Sequence, residues 1–393
     1  MKIALFTDTY LPSVNGVARA LNALVEHAAA AGHEVALVTP QVDETPRAVA
    51  LHHKLAGPAF PLYPELRMCA PRLGDSVRRS LEEFAPDVVH AATEAGVGLA
   101  GRRWARRRGL PLVTSFNTLF PDYLSGYRMG ALSPALWAYL RWFHAGAALT
   151  VTPSDWMRRE LARHRFHKRI GIWSRGVDTE LFHPARRSWP LRRALAPDAE
   201  VLLLYVGRMA VEKKVPLLLE AFPEIRERTR RRVALVMVGG GPALTQLEAR
   251  APEGVRFVGY KHGEELAAHY ASADLFLFPS DTETFGQVVT EAQASGLPAV
   301  VPDRGGVVDT VIPCRTGYRF APGDASSMAR AVARLVDDPP LRLHMGSNAR
   351  ADAEARGWAG VCAGLLDRYA TVARGDRAFY ASARERAAAA LVS

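Results

Sequence analysis

Short apolar strands alternate with amphipathic helical stretches twice over along this chain, and that repeat admits few folds other than a parallel α/β sheet. The first run predicts strands at Ile3–Thr7, Glu34–Thr39, Val88–Ala91, Leu112–Ser115 and Leu149–Thr152, with helices from about Val17 to Ala31 and through 96–108. The second restarts the rhythm, with strands at Val201–Val206, Val233–Val238, Val255–Val258, Leu275–Pro279 and Ala299–Val301 and helices near 215–230 and 286–295. At 393 residues the chain exceeds one ordinary core, so two doubly wound units in tandem are the simplest account. The predicted boundaries are an N-terminal unit over 1–173, an interdomain linker over 174–197 marked by Pro184, Pro190 and Pro197, and a C-terminal unit over 198–370. A final helix over 371–393 is expected to return towards the N-terminal unit.

A 49% hydrophobic and 23% charged composition suits a globular chain. No apolar run reaches the roughly 18 residues of a membrane-spanning helix, and Met1–Phe6 is too short for a signal peptide. Cys69, Cys314 and Cys362 form neither a disulfide framework nor a metal-ligand spacing. The expectation is therefore a cytosolic chain without a metal. Its charge is lopsided: residues 1–196 hold 26 Lys/Arg against 16 Asp/Glu, while the remainder hold 24 of each. An N-terminal face meeting an anionic surface would explain this, and the strongest clusters are Arg102, Arg103, Arg106, Arg107 and Arg108, with Arg78 and Arg79. Arginine-rich codon usage explains it equally, since six of the 50 basic residues are Lys. Tyr127, with Trp137, Trp142 and Phe143 of the Pro134–His144 stretch, would suit either a lipid interface or core packing. No nucleic-acid-binding motif is present, so nucleic acid is not an expected partner.

The most informative segment is Ser280-Asp281-Thr282-Glu283-Thr284-Phe285-Gly286-Gln287-Val288-Val289-Thr290-Glu291. It follows an apolar strand and opens a helix, where free N–H groups form an anion site and Gly286 permits close approach. Ligands of open α/β sheets bind at the carboxyl ends of strands, where this loop lies. Glu283 and Glu291, eight residues apart, can reach different parts of one polyhydroxylated ligand. Taken alone they could equally be a helix cap and a solvated charge. After the strand Val201–Val206, Arg208 and Lys213 supply two cations at another strand end, suited to a leaving diphosphate. Weaker signals are the glycine turn Val238-Gly239-Gly240-Gly241-Pro242 and the loop Asp8-Thr9-Tyr10-Leu11-Pro12-Ser13-Val14-Asn15-Gly16. Neither a Gly-x-Gly-x-x-Gly fingerprint, a P-loop nor a Gly-x-Ser-x-Gly elbow occurs.

Taken in order, the Asn15-Gly16 loop, Ser115-Phe116-Asn117-Thr118, Arg175-Gly176-Val177-Asp178, Gly207-Arg208 with Lys213, and the Glu-x7-Glu signature resemble family 4 of the retaining glycosyltransferases over nearly the whole chain. The resemblance implies the GT-B fold, two Rossmann-like domains facing across a deep cleft. It implies that Arg208 and Lys213 bind the donor diphosphate, Glu291 the ribose and Glu283 the transferred sugar. Thr284, Phe285, Gly286 and Gln287 would line the donor, with Gly16 and Gly239 leaving room for it and the base near Gly259-Tyr260-Lys261. The family usually places a His where Asn117 stands; Asn still donates a hydrogen bond but carries no proton. Within the family, the motifs look most like GDP-mannose-dependent α-mannosyltransferases and glycolipid glycosyltransferases. The implied activity is hexosyl transfer from GDP-mannose, or alternatively from a UDP-hexose, to a lipid or glycan hydroxyl, metal-independent and peripheral to a membrane. A nucleotide-sugar-binding protein with weak turnover is the alternative that Asn117 suggests.

Overall fold

The computed structural model describes residues 1–13, 15–41, 46–60, 63–122 and 130–375. Its first half holds strands β1 (Lys2–Phe6), β2 (Glu34–Pro40), β3 (Leu51–Leu55), β4 (Ala59–Phe60), β5 (Tyr63–Arg67), β6 (Val88–Ala91), β7 (Leu112–Ser115), β8 (Leu149–Thr152) and β9 (Ile170–Ile172). Seven of them form one parallel sheet in the order β3-β2-β1-β6-β7-β8-β9, while β4 and β5 make a separate antiparallel pair. The second half holds β10 (Val201–Val206), β11 (Val233–Val238), β12 (Val255–Phe257), β13 (Leu275–Leu277), β14 (Ala299–Pro302) and β15 (Gly317–Phe320), in the order β12-β11-β10-β13-β14-β15. Such strands are apolar along their length because helices cover both faces; β10, Val-Leu-Leu-Leu-Tyr-Val, is buried throughout. The order reverses between β1 and β6 in one sheet and between β10 and β13 in the other. These are the places where loops part to leave a crevice.

The stretch predicted as a linker is largely structured. Pro184 and Pro190 open short helices at Pro184–Arg186 and Trp189–Leu195, in first-turn positions where a missing N–H costs nothing. Val177, Phe182, Leu195 and Ala196 join the core of the second sheet, and Arg187 and Arg192 both pair with Asp274. Residues 177–197 thus belong to the C-terminal domain.

The return to the first domain begins earlier than the sequence indicates. Helix Trp358–Ala373 buries Cys362, Leu365, Leu366, Tyr369 and Val372 among Ile3, Leu5, Leu21, Leu24, Val113 and Val151. Tyr369 meets His90 Nδ1 at 2.6 Å, and His90 Nε2 meets the Ser115 hydroxyl at 2.6 Å. Burial, with Arg175 nearby, pushes this imidazole down to about 3, so it stays neutral. The segment 376–393, which holds most of the predicted final helix, lies outside the described residues. The chain's two crossings run side by side: Val177 donates to the Arg356 carbonyl at 3.2 Å, and a Cβ on Gly176 would lie 2.5 Å from the Trp358 ring.

Because the return helix completes the N-terminal core, Leu365→Ala should destabilise that domain by about 2–5 kcal/mol. Calorimetry would show the loss in the N-terminal transition while the C-terminal one stays in place.

Candidate functional site

Two strand ends build one wall of the cleft. Since β10 pairs with β13, the loop after β10 lies beside the loop that leads to helix Gln287–Ala294. Ser280 and Thr282 hydroxyls donate to the Glu212 carbonyl at 3.3 and 3.2 Å and tie the loops together. Across the seam Lys213 pairs with the Glu283 carboxylate, and Lys214 with Asp281 at 2.5 Å. Arg208 is exposed at the end of β10, where Tyr205 donates to its carbonyl. The helix starts from Gly286, in the left-handed region at φ +91° and with no side-chain cap, and a Cβ there would press 2.6 Å from Val307. Its first-turn N–H groups face the loop, a setting suited to an anion. Glu291 lies one turn further along, 2% exposed. Burial raises its carboxyl, while Arg19 and the Tyr270 hydroxyl, at 3.1 and 3.0 Å, pull it back down.

The opposite wall comes from the switch point of the first sheet. Asp8 accepts from Val97 N at 2.7 Å, Gly98 N at 3.2 Å and the Thr93 hydroxyl at 2.6 Å, closing the start of helix Gly96–Arg108. Gly16 begins helix Gly16–Ala30 behind the cap Asn15, and open space lies beside its Cα. Asn117 is spoken for within the protein: Nδ2 donates to the Ala92 carbonyl at 2.8 Å, and Oδ1 accepts from Arg175 at 2.6 Å. The buried Arg175 guanidinium also donates to the Trp173 carbonyl and lies 4.6 Å over that indole; burial lowers it to about 10.

The two walls touch. Thr284 donates to the Asn117 carbonyl at 2.7 Å and accepts from the Ser154 hydroxyl at 2.6 Å, so its backbone and side chain are both held by the other domain. Gln287 donates to the Gly176 carbonyl at 2.8 Å, and Asp309 accepts from Trp156 N at 2.7 Å.

The structure brings Glu283, Lys213, Thr284, Phe285, Gly286, Gln287 and Glu291 together around these two loops, with Arg208 beside them. Gly239 has a packing reason of its own, since a Cβ there would sit 2.0 Å from the Gly207 carbonyl. Gly259 accepts from Gly239 N at 2.8 Å, and Tyr260, 60% exposed, donates to the Gly240 carbonyl. Lys261 pairs with Glu265 one helical turn on. Lys214 and Asp281 lie inside the two loop motifs without being singled out, while Arg19, Ser154 and Tyr270 carry no pattern in the sequence until a partner faces them. Of the interfacial aromatics, Tyr127 lies outside the described residues, while Phe143 is buried and Trp137 stacks 3.6 Å from His164. Trp142 is exposed, with Arg102 4.2 Å over its ring. Arg102 itself is buried, donating to the Phe143 and Trp142 carbonyls, which leaves Arg103, Arg106, Arg107 and Arg108 on the surface.

Beneath the N-terminal wall a hydrogen-bonded chain fixes proton positions. His167 Nδ1 accepts from Arg169 N, so its proton lies on Nε2 and goes to Thr150 at 2.8 Å. Thr150 then donates to Thr114 at 2.8 Å and Thr114 to His144 Nδ1 at 2.9 Å. That leaves the His144 proton on Nε2, 3.5 Å from Glu94. Burial, with a smaller push from Asp8, raises the Glu94 carboxyl to about 8.

Two family models match, "Glycosyltransferase Family 4" over residues 14–181 and "Glycosyl transferases group 1" over 189–352. A GDP-mannose-dependent alpha-mannosyltransferase of Mycolicibacterium smegmatis is 37% identical over 379 residues, 95% of this chain and 98% of that protein. A sulfoquinovosyl transferase of Arabidopsis thaliana is 33% identical over 74% of this chain and 56% of its own. Among solved structures, sucrose-phosphate synthase from Thermosynechococcus elongatus superposes with a TM-score of 0.76 at 21% identity, covering 95% of this chain and all of the other.

The Glu94 proton gives a stability test with a definite sign. The folded carboxyl titrates near 8 and the unfolded one near its ordinary value of about 4.3. The stabilisation is therefore complete below the unfolded value and is lost as the pH rises through 8. Urea midpoints should fall from about pH 5 to pH 8 in the wild type, and less steeply in Glu94→Gln.

Proposed function

This chain belongs to glycosyltransferase family 4, and we propose that it transfers a mannosyl group from GDP-mannose, with retention, to a hydroxyl of a lipid or glycan acceptor. It is a hexosyltransferase of the GT-B fold. The observation that carries the reading is the seam between β10 and β13, where Lys213 and Glu283 meet beside a helix start and below Glu291. The cation and the helix-start N–H groups suit a diphosphate, and the carboxylate beside them suits the hydroxyls of a sugar. The donor preference is supported by the mannosyltransferase relative, which spans nearly the whole chain.

In this reading Arg208, Lys213 and the start of helix Gln287–Ala294 hold the diphosphate, and no metal is required. The loop Thr284, Phe285, Gly286 and Gln287 lines the donor, Glu291 accepts from the ribose hydroxyls and Glu283 faces the sugar. The exposed ring of Tyr260, beside Lys261, offers a surface for the base. Gly16 leaves space for the diphosphate on the N-terminal side. The acceptor oxygen bonds to the anomeric carbon from the side that the diphosphate leaves, and its proton passes to a diphosphate oxygen. Charge grows on the departing group, so fixed cations lower the barrier most there. The Asn117 side chain holds Arg175, and its backbone carbonyl holds the Thr284 loop, at the N-terminal edge of the donor site.

Among the described residues no helix is long and apolar enough to cross a membrane. We place the lipid acceptor against the basic surface of Arg103, Arg106 and Arg107, with Trp142 exposed nearby.

Nucleotide release with GDP-mannose and a set of UDP-hexoses should be highest with GDP-mannose, persist in chelator, and fall about a hundredfold or more in kcat for Lys213→Ala. NMR of the first product should show the donor's anomeric configuration. Release with no donor, lipid acceptors present, would mark a binding protein instead. Co-sedimentation with phosphatidylglycerol vesicles should be strong at low salt and decline as salt rises; absence of binding at low salt would remove the membrane assignment.

A further inference from the structure

Glu291 is a buried carboxylate whose two oxygens take partners from different domains. Its Oε2 accepts from Tyr270, on helix Gly263–Ser272 of its own domain, at 3.0 Å. Its Oε1 accepts from Arg19 at 3.1 Å, one turn into helix Gly16–Ala30 of the opposite domain. The Lys213–Glu283 and Lys214–Asp281 pairs, by contrast, are made inside one domain. The ionisable groups around Glu291 are Arg19 from the first helix, Tyr270 from its own domain and, behind Tyr270, Tyr205 from β10. Tyr270 is itself held neutral by burial and by Glu291, so Arg19 is the only positive charge in that set.

We propose that Arg19 is a positioning residue of the donor site: reaching across the cleft, it keeps Glu291 ionised and aimed at the nucleoside, so that the nucleoside is gripped only when the domains meet. This rests on the reading of Glu291 as the ribose carboxylate. An ionised carboxylate accepts from two vicinal hydroxyls, whereas a protonated one has lost half of that capacity. Without Arg19, burial would favour the protonated form of Glu291 in the closed cleft. The device is also separable from folding. Arg19 has a half-exposed side chain, while Ala18, Ala20 and Leu21 carry the helix's packing.

Titration calorimetry with GDP and UDP, and with their 2′,3′-dideoxy forms, tests this across the neutral pH range in wild type, Arg19→Lys, Arg19→Gln and Glu291→Gln. Arg19→Gln should weaken the ribose nucleotides about tenfold or more, with the loss deepening as the pH falls. Arg19→Lys should recover most of the affinity, and the dideoxy forms should be indifferent to Arg19→Gln. Wild-type affinity and pH profile in Arg19→Gln would overturn the proposal. So would an equal loss for ribose and dideoxy forms, which would put Arg19 on the diphosphate. If Glu291→Gln discriminates between ribose and dideoxy forms and Arg19→Gln does not, the Arg19 proposal alone falls. If Glu291→Gln does not discriminate either, the ribose reading falls and the proposal with it.

Discussion

The pairing of β10 with β13 is the constraint on which the candidate site depends. Because β11 and β12 lie on the other side of β10, the connections leave the sheet in opposite directions at this seam. A gap opens that backbone alone cannot fill. Two lysines and two carboxylates close it as a short ladder, and the glycine at 286 lets the next helix start directly against it. The ion pairs thereby stand beside a helix start that has no side-chain cap, a setting whose dipole favours an anion. The first sheet repeats the device at β1 and β6, but there Asp8 spends its carboxylate on closing a helix start. The carboxylate at one switch point thus closes a helix start, while those at the other pair with lysines.

The two halves are joined by contacts that involve the binding loop itself. Thr284 is grasped from both sides by Asn117 and Ser154, and Ser154 also caps helix Asp155–Arg163. Trp156 N, in the same helix start, is satisfied by Asp309 of the other domain. Opening the cleft would therefore expose donors and acceptors that are paired when it is shut. The state of the loop and the state of the cleft are coupled through single hydrogen bonds, each worth about 0.5–1.5 kcal/mol and so readily exchanged.

Much of this was legible in the sequence. Continuous apolar strands such as Val201–Val206 and Val233–Val238 advertise a parallel sheet, and the Glu-x7-Glu segment announces a strand end, a glycine and a helix in one reading. The domain boundaries were less legible. Pro184 and Pro190 have the composition of a linker but serve as helix openers, and the tail's apolar residues do not say which core they will join. At the site, residues inside the loop motifs could be found, Thr284 and Gln287 among them, but not that these two also reach the other half, nor the isolated partners Arg19 and Ser154. Arg19 is one arginine among many, and Asn117 has an environment, the buried Arg175 guanidinium, that is assembled from the ends of β7 and β9.

The return helix has a consequence for the order of events as the chain leaves the ribosome. Domains usually fold as they emerge, N-terminal first. Here the first sheet lacks Leu365, Leu366 and Tyr369 until the second domain has been made, and His90 waits that long for its phenolic partner. The second domain, from about Val177 to Arg356, emerges complete before them. The first domain is thus finished after the second, and an unfinished N-terminal half must stay soluble beside a finished C-terminal half until helix Trp358–Ala373 arrives.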